Sequence, residues 1–362
     1  MKTIHTSIKA TLLVLTTLAL SAAFSRADSY SSTNLQSDIP GLAAHVDPNL
    51  VNPWGMAVPS ATGPIWVSDN GTGVSTLYNP ADGTPAGGPL VVTIPTSARN
   101  KDGGNPTGQV FNSTSFFKVT LNGISAPARF IFVSEDGSIS GWNSALNPAD
   151  RAHAIAIAVD NGTNLGSKRA IYKGATLGVA NGHNFLYVTN FHTARVETYN
   201  ENFQQVNPNG FIDPNLPAGY APFGIRNISV SGQSRIYVTY ALQDAKGEDD
   251  VAGPGNGFVN VFDTSGNFVK RLISNGNLNA PWGLALVEGK LWVGNFGDGT
   301  INNYVPTTGA FIETISKADA TPLQIDGLWD LLPLPFGTST AVYFTAGIAD
   351  EEHGLFGRIT ED

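Results

Sequence analysis

The chain has 362 residues, of which 40 are Gly and 22 Pro; 41% are hydrophobic, 10% aromatic and 14% charged, and the formal net charge is −9. This is too apolar and aromatic for a disordered chain and too rich in breakers for a helical bundle. The acidic balance argues against nucleic acid or an anionic membrane as partner, and the absence of Cys removes disulfides and thiolate chemistry.

Residues 1–27 read as a secretory signal. Lys2, His5 and Lys9 give a positive start, residues 10–24 an apolar run, and Ser25-Arg26-Ala27 a small-residue cleavage site before Asp28. The apolar run of about 15 residues falls short of the ~20 needed to span a bilayer. The expected mature protein is one domain, 28–362, secreted or periplasmic and not inserted in a membrane. Cleavage removes Lys2, Lys9 and Arg26 and no acid, so the mature chain is more acidic still.

From there a pattern recurs six times: aliphatic, aromatic, aliphatic or aromatic, small, then mostly polar. It reads Ile65-Trp66-Val67-Ser68-Asp69, Ile131-Phe132-Val133-Ser134-Glu135, Leu186-Tyr187-Val188-Thr189-Asn190 and Ile236-Tyr237-Val238-Thr239-Tyr240. Leu291-Trp292-Val293-Gly294-Asn295 and Val342-Tyr343-Phe344-Thr345-Ala346 complete the set. The period is about 55 residues. A Gly-led strand precedes most copies: Trp54-Gly55-Met56, Leu177-Gly178-Val179, Phe223-Gly224-Ile225, Trp282-Gly283-Leu284 and Gly327-Leu328-Trp329. Third strands end in an aromatic, as at Tyr78, Trp142, Tyr199, Phe262 and Tyr304, and fourth strands follow at 90–94, 154–159, 268–273 and 311–315. Short β-rich runs between Gly, Pro, Asn and Asp turns, four per repeat, predict an all-β, six-bladed β-propeller of four-stranded blades. The blades fall near 52–95, 105–160, 171–212, 221–273, 280–316 and 325–360. The sixth has three strands before the chain stops, so an N-terminal strand at 33–38 is expected to close it and cover its edge.

The repeat resembles the six-bladed propellers of the NHL-repeat and gluconolactonase-like group. Val51-Asn52-Pro53-Trp54-Gly55, Asp69-Asn70-Gly71, Asn190-Phe191-His192, Ala280-Pro281-Trp282-Gly283 and Asn295-Phe296-Gly297-Asp298 resemble, more closely, a family of secreted bacterial propellers without an assigned activity. The resemblance implies fold and export and carries no catalytic residue across.

Strand alternation puts the loops before strand one and after strand two on one face. That face gathers Asn52, Trp54, Asp69, Asn70, Glu135, Asp136, Asn190, His192, Trp282, Asn295, Asp298, Asp326, Glu351 and His353 as ligand-binding candidates. Two of its loops are acidic, 243–256 with Asp244, Glu248, Asp249 and Asp250, and 347–354 with Asp350, Glu351 and Glu352. His183, in an Asn-Gly turn, belongs to the opposite face. Asp69, Glu135, His192, Asp298 and His353 are the residues from which a divalent cation such as Ca²⁺ would be held. The competing structural role is turn closure for the carboxylates and amides and inter-blade packing for the aromatics. There is no Gly-x-Ser-x-Gly elbow, phosphate loop, dinucleotide fingerprint, His-Glu-x-x-His pair or EF-hand spacing. Two functions follow. The first is a monomeric binding module that recognises a protein, glycan or small molecule on one face. The alternative is a metal-dependent hydrolase or lyase with a cation near the propeller axis.

Overall fold

The structure is a computed structural model that describes residues 28–100, 104–164 and 166–362; the expected leader, 1–27, lies outside the described residues. Six antiparallel sheets surround one axis. Their inner strands are Pro53–Ala57, Pro106–Phe111, Tyr172–Ala180, Tyr220–Val230, Pro281–Val287 and Leu328–Phe336. Each inner strand packs on that of the next blade, and the sixth returns to the first. The molecule is a six-bladed β-propeller.

The recurring aromatic explains why the blades adhere. Trp66, Phe132, Tyr187, Tyr237, Trp292 and Tyr343 are all buried on second strands. Trp66 stacks on Phe130 of the next blade, with centroids 3.9 Å apart. The tyrosines reach further. Tyr187, Tyr237 and Tyr343 donate their hydroxyls to the carbonyls of Thr264, Pro306 and Pro80, each in the following blade. A large apolar body with a polar tip fills the wedge between twisted sheets and still satisfies its own O–H.

The ring closes through the N-terminal strand. Tyr30–Ser37 pairs antiparallel with Leu355–Glu361, from Tyr30 opposite Glu361 to Ser37 opposite Leu355. The two-residue strand His45–Val46 then adds in parallel outside it. The Asp362 N–H donates to Ser29 O at 2.9 Å, so the two described ends of the chain meet. One element lies outside the repeat, a hairpin of Lys118–Leu121 and Ile124–Pro127 inserted in blade two. It is anchored to blade three by Phe117, whose ring meets Phe203 edge-on at 5.4 Å.

Candidate functional site

The inner strands begin on the upper face with a shared four-residue signature. Asn52-Pro53-Trp54-Gly55, Asn105-Pro106-Thr107-Gly108, Ala221-Pro222-Phe223-Gly224 and Ala280-Pro281-Trp282-Gly283 carry it in full. Blade three has Ile171-Tyr172-Lys173-Gly174, and blade six ends the run in Asp, as Gly327-Leu328-Trp329-Asp330. The glycine is required by close approach: a Cβ on Gly55 would come 2.7 Å from Thr107 O, and one on Gly108 2.5 Å from Ala175 N. The ladder is irregular at this point in every blade, a bulge that re-aims the preceding side chain at the axis.

What converges there is an aromatic plug. Trp54 stacks on Trp329 at 3.4 Å, meets Trp282 at 5.9 Å and reaches Phe223, in the opposite blade, at 6.3 Å. Phe296 stacks on the far side of Trp329 at 4.0 Å. Trp54 and Trp282 thus fill the axis as well as the joints between blades.

Blade three contributes Lys173 where the other blades place mainly aromatics. The side chain is only 3% exposed, and its ammonium lies 5.1 Å from the centre of the Trp54 ring. It donates to Glu135 Oε1 at 2.5 Å and to Asp249 Oδ1 at 3.3 Å. Burial alone would lower the lysine, but the Glu135 and Asp249 carboxylates outweigh it and hold the group above its ordinary range. Glu135 Oε2 also accepts from Asn70 Nδ2 at 2.9 Å, and Asn52 donates to Glu351 Oε2 at 2.5 Å while its Oδ1 accepts from Trp329 Nε1 at 2.9 Å.

Two loops lower over this mouth. Asp244 Oδ1 accepts the N–H groups of Lys246, Glu248 and Asp249, which folds the blade-four loop tightly and turns Asp249 and Asp250 toward Lys173. Arg169 and Gln243 latch that loop to blade three, through Glu248 and Phe191 O respectively, each at 2.7 Å. From blade six comes Glu351, at the end of three consecutive left-handed residues, Ala349, Asp350 and Glu351, with φ of 56°, 54° and 65°. Each such non-glycine residue costs about 1–2 kcal/mol. Burial, with help from the Glu135 charge, raises Glu351 to about 7; burial likewise raises Asp250 to about 6 against the pull of Lys173. A cavity of about 450 Å³, lined by Arg99, Asn105, Glu135, Asp136, Gly162 and Arg169 among others, opens beside the mouth.

Of the residues singled out from sequence, Asn52, Asn70, Glu135 and Glu351 meet in this mouth over Trp54 and Trp282. The rest do not join them. Asp69, Asn190 and Asn295 are fully or almost fully buried. They close turns: Asp69 accepts from Thr76 N, Asn190 from Ile171 N and Asn295 from Asn279 N. Burial pushes Asp69 well above the usual carboxylate range. Asp136, raised by burial, binds the N–H groups of Ser97 and Ser138 and contributes to the side cavity. Asp298 binds Thr300, and Asp326 the Ala349 N–H. Both ring nitrogens of His192 face backbone carbonyls, of Gly247 and Gly166, each at 3.2 Å. His353 pairs with Asp38, just after the closing strand, at 2.6 Å, and His183 lies exposed as the first residue of the strand His183–Asn190, directly after the Asn181-Gly182 turn. Asp69, Glu135, His192, Asp298 and His353 are therefore not gathered as one ligand set. Among the described residues no three His, Asp or Glu side chains form a metal-binding group. Lys173, Asp249 and Asp250 complete the mouth; the acidic loop was visible in the sequence, the lysine was not.

No family model matches the chain. Two proteins of Acanthamoeba polyphaga mimivirus, the uncharacterized proteins L690 and R648, are 29% and 30% identical to it over 333 and 332 residues. These matches span 89% and 88% of this chain and 83% and 77% of theirs. The chain belongs to the family of these mimivirus proteins. A bacterial, secreted kinship, as expected from the sequence, finds no support in viral relatives, whereas the gluconolactonase-like fold does find it among solved structures. The chain is similar to a streptogramin B lyase (TM-score 0.52, 14% identity, covering 92% of this chain and 98% of that one) and to a gluconolactonase from Xanthomonas campestris (0.51, 13%, 87% of each). At that identity the likeness is one of fold.

Proposed function

We propose that the protein is a binding propeller whose upper mouth takes a small ligand carrying a protonated amine or comparable cationic group. The observation that carries this reading is Glu351, held over the axis by a strained left-handed run and raised to about 7 beside Glu135. Backbone strain of this kind persists where the surroundings over-determine it, as ligand clamps do. Four carboxyl groups, Glu135, Asp249, Asp250 and Glu351, surround one ammonium, so the mouth keeps an excess of negative charge that a cationic ligand would neutralise. Lys173 already occupies Glu135 and Asp249, which favours binding over metal-dependent hydrolysis.

The near-neutral Glu351 supports a second reading, in which it transfers a proton in a hydrolase or lyase reaction of the kind named for the gluconolactonase and streptogramin lyase neighbours. Thermal melts with a series of small amines, with Ca²⁺, Mg²⁺ or Zn²⁺, and with chelator test the two. Amines should raise the melting temperature more at pH 8 than at pH 5.5, and Glu351→Gln should shrink the difference to the part that Asp250 contributes. Stabilisation by a divalent cation, reversed by chelator, would instead support a metal-dependent enzyme. Export follows from the charge and apolar order of residues 1–27 and is also a proposal; an N-terminus near Asp28 in exported material is the expected result, and an intact Met1 would overturn it.

A further inference from the structure

Beneath the aromatic plug the channel opens into a second cavity of about 410 Å³, walled by inner strands of all six blades and extending toward the lower face. Here the ring of glycines is broken once, by Asp330. Its buried carboxylate accepts the N–H groups of Met56 and Leu331, each at 2.8 Å, and Arg226 Nη2 at 2.5 Å. Arg226 reaches it from blade four, which is not a neighbour of blade six. Packing alone asks for a sixth glycine, and an ion pair drawn out of water adds little net stability, so the pair calls for another reason.

The cavity wall supplies one. The Nε and Nη1 of Arg226 have no protein partner among the described residues, and the side chain remains 25% exposed. Gln109, almost fully buried, is fixed by donating Nε2 to Gly55 O at 2.7 Å and to Trp66 O at 2.9 Å. Its Oε1 has no partner among the described residues and no accessible surface, so the Gln109 amide braces the wall from behind and does not face the chamber. Around these polar groups stand Met56, Phe111, Leu284 and Trp282.

We propose that this lower chamber is a second binding site, independent of the upper mouth, for a neutral polyhydroxylated molecule of monosaccharide size. Arg226 and Asp330 neutralise each other, so a charged ligand would enter without a counter-charge, whereas a neutral one would not. Hydroxyl oxygens accept from the guanidinium N–H groups left over on Arg226 and bring no charge that would need a partner. Phe111 and Trp282 offer apolar faces to a sugar ring. At ~30 Å³ per water the space corresponds to about a dozen water molecules, enough for one ring and some solvent.

Saturation-transfer NMR on the full chain, with glucose or myo-inositol compared against glucuronate, tests the assignment. The neutral compounds should saturate, and glucuronate should bind at least about tenfold more weakly. Arg226→Gln should weaken glucose, but it leaves Asp330 buried and unpaired, so Ala175→Phe is the decisive variant. Ala175 is half-buried on the chamber wall, and the larger ring fills the space with the ion pair intact. Ala175→Phe should remove the signal while the melting curve stays cooperative, and Glu351→Gln should leave it unchanged. Absence of saturation by either neutral compound, or glucose binding that survives Ala175→Phe, would overturn the proposal. Loss of binding in Glu351→Gln would place the ligand in the upper mouth and overturn it as well.

Discussion

Lys173 shows how one residue changes what a repeat can do. It stands in register with Trp54, Phe223, Trp282 and Trp329, keeps the position buried, and puts an ammonium where those blades put a ring. The carboxylates left behind are 27% exposed at Glu135 and 75% exposed at Asp249 and keep part of their hydration, so Lys173→Met should cost about 1–3 kcal/mol in denaturant unfolding at pH 7. A cost within the error of the measurement would mean that Glu135 is solvated from the side cavity instead. Glu351 sets the pH dependence. Its folded pKa, about 7, lies above its ordinary value of 4.5, so the folded state binds the proton more tightly than the unfolded one. Its stabilising contribution is present below about 4.5 and is lost as pH rises through 7, and Asp250 adds the same sign up to about 6. Denaturation midpoints at pH 5 and pH 8 should converge in Glu351→Gln relative to wild type; an unchanged gap would assign the pH dependence elsewhere.

At the scale of the element, Tyr30–Ser37 is the strand that turns an open arc into a ring. Deleting residues 28–38 removes its ladder with Leu355–Glu361 and the Asp38 partner of His353 and Gly354. The melting temperature should fall by about 10 °C or more, read by circular dichroism, and an unchanged melt would show that blade six holds its edge unaided. This strand and the second-strand aromatics were legible in the sequence because packing constrains them residue by residue. The inner strands were legible only where Pro and an aromatic frame the glycine. In blade three Leu177-Gly178 resembles the signature better than Lys173-Gly174, and the resulting slip of four residues concealed the lysine. In blade six the glycine is replaced, so Asp330 passed unnoticed beside Trp329. The loop carboxylates separated for a different reason. Asp298 and Glu351 look alike in sequence, and only the backbone decides that one closes a turn while the other is aimed at the axis.

For the molecule as a whole, the axis divides into an acidic mouth above the aromatic plug and a chamber below it that contains one compensated ion pair. The two ends are thus chemically distinct, although the same six strands line both. The joint between blades six and one is built like the other joints, since Tyr343 reaches Pro80 as Tyr187 reaches Thr264 and Tyr237 reaches Pro306. With Asp362 already bonded to Ser29, the joint at which these two residues meet has no special standing in the ring. A circular permutant that links 29 to 362 through a short spacer and opens at the lower turn Ser231-Gly232 should therefore fold to the same propeller. Cooperative melting near the parent temperature, with the tryptophan fluorescence of the plug preserved, would show that the circle and not its origin is what the sequence encodes.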